Sequence, residues 1–220
     1  MNRRDEIAAA LAAVKSKIPS EKTLIVVTKT FPLSDIEILY QLGERNFGEN
    51  RSEEAAPKSE ALPADVTWHF QGQIQSKKIS AIVTWADYIH SLDEFHHAEK
   101  ISQKAEELSK VQRVFLQVNL DDDPSARGGV APADLLPLAQ SVLKLPAISI
   151  VGVMGIAPVN GDPARAFERL QQSSHQLRGI SPESTYISAG MSGDFEVALR
   201  FEATHIRIGS SILGTRSPQP

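Results

Sequence analysis

Leu24-Ile25-Val26-Val27-Thr28-Lys29-Thr30 is the stretch from which the fold is read. Four apolar residues in a row, three of them β-branched, describe a strand buried on both faces, the kind found in parallel sheets covered by helices. The strand is expected over Thr23–Thr28, and Phe31-Pro32 closes it. The run ends on Lys29. A lysine there keeps its stem among apolar neighbours while its amine faces whatever lies above the sheet. Desolvation lowers an amine's pKa and makes it a nucleophile toward an aldehyde. A strand-end lysine that simply reaches solvent is the alternative, and Lys29 alone does not choose between them.

Outward from this strand the chain alternates. Ile7, Leu11, Val14 and Ile18 recur at helical spacing before Pro19, which predicts an N-terminal helix within residues 1–19. Ser34-Asp35 reads as a cap pair for a helix ended by Gly43. Further strands are expected at Arg45–Gly48, Val66–Phe70, Tyr88–Ser91, Arg113–Leu120, Ile148–Met154, Thr185–Ser188 and His205–Ile208. Helical segments follow each, among them one capped by Asp93 and running to about Leu108, Pro132–Leu143, Pro163–Arg178, Asp194–Arg200 and Ser211–Leu213. Eight β–α units imply a parallel sheet with right-handed crossovers. In this length they fit a compact single-domain (β/α)8 TIM barrel over residues 1–220, with residues 217–220 as a flexible tail. A doubly wound open sheet is the competing architecture. No glycine-rich dinucleotide fingerprint follows the first strand, which counts against it.

Composition narrows the function. The 220 residues are 41% hydrophobic and 23% charged, with net charge −4 and no cysteine. That balance suits a globular domain and gives no electrostatic reason for nucleic-acid binding. Disulfides and thiolate metal sites are excluded. No apolar run is long enough for a bilayer, and the first residues lack a signal-peptide core, so the expected location is cytoplasmic. His96-His97 are expected to diverge on a helix and not to chelate, and no metal site is expected. Asp121-Asp122-Asp123 reads as a solvated loop.

In a barrel the loops after the strands carry the chemistry. Lys29, Asn50, His69, Gln71 and Gln73 fall on that face. So do Ser188-Ala189-Gly190-Met191-Ser192-Gly193-Asp194 and Arg207-Ile208-Gly209-Ser210-Ser211. The last two are glycine- and serine-rich turns that open helices, and barrels often bind phosphate between the loops after strands seven and eight. Ordinary caps and turns are the bland alternative. In His205-Ile206-Arg207-Ile208, isoleucines facing the helices would point Arg207 into the barrel mouth. A buried arginine needs a partner. A ligand nitrogen, a phosphate, a carboxylate or a structural ion pair would each serve. Gly190-Met191-Ser192-Gly193-Asp194 lacks the final glycine of a nucleophile elbow, against a serine hydrolase.

Val27-Thr28-Lys29-Thr30, Phe47-Gly48-Glu49-Asn50, Trp68-His69-Phe70-x-Gly72, Gly190-Met191-Ser192-x-Asp194 and Arg207-Ile208-Gly209-Ser210 stand in the order and spacing of the pyridoxal phosphate homeostasis protein family, and the chain resembles that family over essentially its whole length. The resemblance implies a single barrel similar to the N-terminal domain of alanine racemase. It implies pyridoxal 5′-phosphate held as a Schiff base without established turnover, and a role in balancing vitamin B6 and amino- and keto-acid pools. Carried over by position, Lys29 forms the Schiff base. Ser192, Gly209 and Ser210 hold the phosphate. Arg207 faces the pyridine nitrogen, and Asn50 and Met191 lie beside the ring. An arginine at that nitrogen disfavours its protonation and weakens the ring as an electron sink. Arg127 stands where the family often has lysine and cannot form an imine. Ser210 replaces a commoner threonine but keeps the hydroxyl, and Gln73 replaces a usual proline.

Three functions compete. The first is a non-catalytic carrier of the cofactor, a monomer with pyridoxal-phosphate-dependent apoenzymes as candidate partners. The second is a weak pyridoxal-phosphate-dependent amino-acid racemase. Racemisation by two bases needs an acid–base group on each face of the cofactor, and Tyr40, Tyr88 and Tyr186 are expected inside elements rather than in loops on the active face. The third is a phosphosugar-type barrel enzyme, which leaves Lys29 and Arg207 unexplained.

Overall fold

A computed structural model describes residues 2–122 and 127–214. Eight parallel strands close into a barrel in sequence order, β8 pairing back onto β1. They are β1 (Thr23–Val27), β2 (Asn46–Glu49), β3 (Thr67–Phe70), β4 (Tyr88–Leu92), β5 (Gln112–Gln117), β6 (Ile148–Met154), β7 (Tyr186–Ser188) and β8 (His205–Ile208). Helices α1 (Arg3–Lys15), α2 (Leu33–Gln41), α3 (Ser52–Ala61), α4 (Ile79–Trp85), α5 (Phe95–Glu107), α6 (Leu135–Val142), α7 (Pro163–Arg178), α8 (Phe195–Arg200) and α9 (Ser210–Leu213) complete the described elements, with a 3-10 turn at Pro132–Asp134 before α6. The expected (β/α)8 architecture is what the chain forms, and the open sheet is excluded by the β1–β8 register, Ile25 opposite Arg207.

The expected elements are present with shifted ends. β6, α7 and β8 fall on their expected residues. β1 stops at Val27, so Lys29 lies just past the strand, where Thr30 turns the chain with φ +69°. β5 ends at Gln117, three residues short; Val118 still donates its N–H to the Met154 carbonyl at 2.8 Å and makes an isolated bridge to Val130. Two expected caps do other work. Helix α2 starts a residue earlier than Ser34, and Asp35 is buried against the Arg3 guanidinium at 2.5 Å. Asp93 accepts the Gly129 N–H at 2.9 Å, while Glu94 occupies the cap position of α5. The expected tail lies outside the described residues.

Two interiors result. Outward-facing strand residues such as Leu24, Val26, Phe47, Val114, Ile206 and Ile208 pack with the helices in one continuous apolar layer. Inside the barrel the filling is polar and aromatic. His69, His90, Phe115 and His205 make ring contacts across it, with centroids 5.3 Å apart for Phe115–His205 and 6.3 Å for His69–His205. Because Ile206 and Ile208 take the helix side, strand alternation turns His205 and Arg207 inward, as expected. No described helix is long and apolar enough to cross a membrane.

Candidate functional site

At the carboxyl ends of the strands lies a cavity of about 250 Å³. It gathers every residue singled out for the site: Lys29 after β1, Asn50 after β2, Met191 and Ser192 after β7, and Arg207, Gly209 and Ser210 at the end of β8. Val27, Gln71, Met154, Ile156 and Gly193 complete the lining. Of these only Gln71 carried a polar signal in the sequence; Val27, Met154 and Ile156 look like ordinary strand residues and are recognisable only once the barrel closes.

Close backbone packing sets the cavity's shape. A Cβ at Gly72 would lie 2.1 Å from the Asn50 carbonyl oxygen, so only glycine lets the turn after β3 pack against the Asn50 backbone. Gly190 has φ +88°, a conformation that L side chains rarely adopt, and a Cβ there would sit 2.8 Å from the Phe195 Cα. That bend lets the Gly190 carbonyl accept the Arg207 backbone N–H at 3.0 Å. Asp194 Oδ1 accepts the Met191 N–H at 2.6 Å and closes the loop after β7. Ser210 donates to Ser192 Oγ at 3.2 Å, and the Ser211 N–H reaches the same oxygen at 3.4 Å. The two serine-bearing loops are therefore joined into one wall, with hydroxyls and backbone N–H groups of the kind that hold an anion.

Arg207 is the main charge in this cavity and is 5% exposed. Its Nη1 donates to Ser188 Oγ at 2.7 Å and its Nη2 to the Gly155 carbonyl at 3.0 Å. Among the described residues it forms no salt bridge, so the structural ion pair is not its role. Burial lowers its pKa to about 10, with Asp194 opposing the shift through space, and the group stays cationic at neutral pH. Two of a guanidinium's five N–H donors are accounted for by neutral acceptors. A buried cation with uncharged partners and remaining donors is suited to an anionic or acceptor group on a ligand.

Below Arg207 a buried chain of polar groups continues inward. Ser188 Oγ is 2.9 Å from His90 Nδ1, His90 Nε2 is 3.0 Å from His69 Nδ1, and His69 Nε2 is 3.1 Å from Asn46 Oδ1. Burial pushes both imidazoles well below the usual histidine pKa, and neighbouring histidines push in the same direction. His205 falls to about 4 through burial and the nearby Arg207 charge. Sequence reasoning placed His69 on the active face; it lies deeper, within the barrel.

Beside the site, Lys58 Nζ donates to Glu49 Oε1 at 2.6 Å and to the Thr28 carbonyl at 3.0 Å, and Thr28 Oγ1 donates to the same carboxylate oxygen at 2.7 Å. The residue preceding Lys29 is thereby tied to β2 and α3. Arg127 lies elsewhere. It pairs with Asp121 at 3.1 Å beside a separate cavity that Arg165 and Arg169 also line. His96 and His97 do not diverge: both Nε2 atoms stand 3.2 Å from Ser76 Oγ, which they straddle from the first turn of α5. With Glu94 their ligand atoms lie within 4.8 Å of one another, at a helix end whose dipole disfavours a cation.

The family model for the alanine racemase N-terminal domain matches residues 3–217. The pyridoxal phosphate homeostasis protein of Synechocystis is 38% identical over 90% of this chain and 94% of its own length. That of Escherichia coli is 34% identical over 97% and 93%. The chain belongs to the pyridoxal phosphate homeostasis protein family. PipY of Synechococcus elongatus without pyridoxal phosphate superposes with a TM-score of 0.89 at 35% identity, over 94% of this chain and all of that one. PipY with pyridoxal phosphate bound gives 0.86 at 34%. An alanine racemase of Clostridium difficile shares the barrel, with a TM-score of 0.82 at 13% identity, and the match covers 58% of that longer chain.

Proposed function

We propose that this chain binds pyridoxal 5′-phosphate in the cavity above the barrel and serves the intracellular homeostasis of that cofactor, in the cytoplasm and without catalytic turnover. The carrying observation is the buried Arg207 guanidinium, bonded among the described residues to neutral groups, in one cavity with Lys29 and the joined serine loops. The relatives named for pyridoxal phosphate homeostasis and the PipY structure with pyridoxal phosphate bound support the same reading.

The residues suit the group. Ser192, Gly209 and Ser210 would hold its phosphate, Lys29 would carry its aldehyde carbon, and Arg207 would donate to the ring nitrogen. Asn50 and Met191 would flank the ring. Pyridoxal phosphate supplies an electrophilic aldehyde and an electron-accepting ring. A guanidinium is a donor only, so Arg207 leaves no proton for the ring nitrogen and favours its neutral form.

The racemase reading needs a second acid–base group across the ring. Lys29 and Arg207 are the titratable residues lining the cavity. Tyr88 and Tyr186 begin their strands at the opposite end of the barrel, Tyr88 stacked on His69 with centroids 4.9 Å apart and Tyr186 tilted against His205 at 4.8 Å. Delivery to dependent apoenzymes would be the carrier's use of the bound cofactor.

The test is the absorption spectrum of purified protein given pyridoxal phosphate, then borohydride reduction and peptide mapping. A visible band fixed on Lys29 and missing in Lys29→Ala is expected, with no alanine racemisation by the same sample. Reduction onto scattered surface lysines would overturn the cofactor site, and racemisation abolished by Lys29→Ala would overturn the carrier.

A further inference from the structure

The proposed function uses Arg207 but not the polar chain behind it. Four side chains carry that chain through the barrel: Ser188, His90 and His69, which are 0%, 0% and 1% exposed, and Asn46 at its far end. Its protons can be assigned. Arg207 can only donate, so Ser188 Oγ accepts from Nη1. Burial keeps both imidazoles neutral, so each carries one N–H. With Asn46 Oδ1 accepting, His69 donates through Nε2 and accepts at Nδ1 from His90 Nε2–H. His90 Nδ1 then accepts the Ser188 hydroxyl proton. Every proton has an acceptor, and all bonds run one way, from Arg207 to Asn46.

The opposite assignment turns the Asn46 amide around. His90 then donates to Ser188 Oγ from Nδ1, and that oxygen receives two donors. The Ser188 hydroxyl proton is left without an acceptor among the described contacts of a fully buried site. An unsatisfied buried donor is costly, and this cost selects the first arrangement.

We propose that Ser188, His90 and His69 are positioning residues for Arg207. Their one-way chain holds the guanidinium in a single orientation, with Nη1 turned inward onto Ser188 and its remaining donors kept for an acceptor on the ligand. The ligand side of this inference rests on the cofactor reading; the chain itself does not. Specificity follows from it: a ring bearing an unprotonated nitrogen meets a fixed donor, and a ring that must keep a proton there is disfavoured.

The test has an arm that needs no ligand. In the cofactor-free protein at neutral pH, ¹⁵N spectra of the imidazoles are expected to show His69 and His90 both protonated on Nε2 alone. Rotation about the Arg207 Nε–Cζ bond is expected to be slow in the wild type and in Ser188→Thr, and fast in Ser188→Ala. An Nδ1–H tautomer or an imidazolium at either histidine would overturn the chain, as would equal Arg207 rotation in all three proteins. In the ligand arm, Ser188→Ala is expected to weaken pyridoxal phosphate binding about tenfold and shift its visible band, with Ser188→Thr restoring both. A packing role predicts the reverse order, since alanine is the smaller perturbation. Equal affinity and identical spectra in Ser188→Ala would overturn the positioning role. If the wild type binds no pyridoxal phosphate, the cofactor reading falls, and the ligand-free arm still decides the chain.

Discussion

Replacing Lys58 with methionine would test how the residues beside Lys29 are held. In the folded protein Glu49 has no exposed side-chain surface, and its Oε1 accepts from both Lys58 and Thr28 while Oε2 has no partner. Burial raises the Glu49 pKa, and Lys58 and Thr28 only partly oppose it. Removing the ammonium leaves a buried carboxylate with a single hydroxyl donor. Breaking a buried pair from one side costs about 3–5 kcal/mol. For a chain of this size that lowers Tm by about 6–20 °C. The pH dependence has a definite sign. A carboxyl whose folded pKa lies above its unfolded value stabilises the fold most below the unfolded pKa, and that contribution is lost as pH rises through the folded value. Lys58→Met raises the folded value further, so its defect is largest at neutral pH and shrinks as the solution is acidified toward the ordinary carboxyl range. Adding Glu49→Gln should recover most of the loss, because the uncompensated charge is gone. Urea unfolding of the three proteins at pH 7 and pH 5 measures all of this. A Lys58→Met protein as stable as the wild type at pH 7, or a defect that grows on acidification, would refute the account of the pair.

Other perturbations have equally definite outcomes. Gly72→Ala drives a Cβ into the Asn50 carbonyl; overpacking of that kind costs about 1–3 kcal/mol, or about 2–12 °C in Tm, and cofactor affinity should fall with it because Asn50 lines the cavity. Gly190→Ala should be worse for binding than for stability, since the strained φ sits in the loop that carries Met191 and Ser192; titration with pyridoxal phosphate alongside thermal melts separates the two. Acid should unfold the protein through its barrel histidines. Their folded pKa values lie below the unfolded value near 6.5, so their contribution is full above pH 6.5 and is lost as pH falls, about 3 kcal/mol by pH 4 for His205 alone, with His69 and His90 adding in the same direction. A urea midpoint independent of pH between 6.5 and 4 would contradict this.

How much of this was legible beforehand follows from what each residue's signal depends on. The strands could be read because burial on both faces leaves an apolar run, as in Leu24–Val27, and because Ile206 and Ile208 alternate with His205 and Arg207. The eight-fold alternation then implied closure. Lys29 and the serine loops could be read from position alone, since they follow strands. Caps could not. Asp35 and Asp93 have the residue type of an N-cap, yet tertiary partners, the Arg3 guanidinium and the Gly129 N–H, claimed both carboxylates. Helix angles alone predict that His96 and His97 diverge, but Ser76 reaches both rings from another segment, a contact that helix spacing does not reveal. The polar chain was invisible for a related reason. His69, His90 and Ser188 lie on three different strands, and only the closed barrel brings them into line.

That line bears on why the fold tolerates so polar an interior. Barrel interiors of this architecture are usually filled by branched apolar side chains. Here the layer between strands and helices carries the continuous apolar packing, and the inside is given over largely to His69, His90, His205, Ser188 and Arg207 around the Phe115 ring. Such residues are acceptable in a core only when their hydrogen bonds are satisfied. Filling the barrel with leucine or valine would satisfy the fold, but it would leave Arg207 with the Gly155 carbonyl alone and no side chain to hold its Nη1. The histidines therefore make sense as support for the cation above them. On this argument, His69→Gln, which keeps a donor and an acceptor at that position, should be tolerated in stability better than in affinity, whereas replacement of Phe47 or Ile206 in the outer layer should cost stability first. Paired measurements of Tm and of pyridoxal phosphate binding in those variants would separate the two interiors, and a His69 variant that loses stability while keeping full affinity would contradict the division.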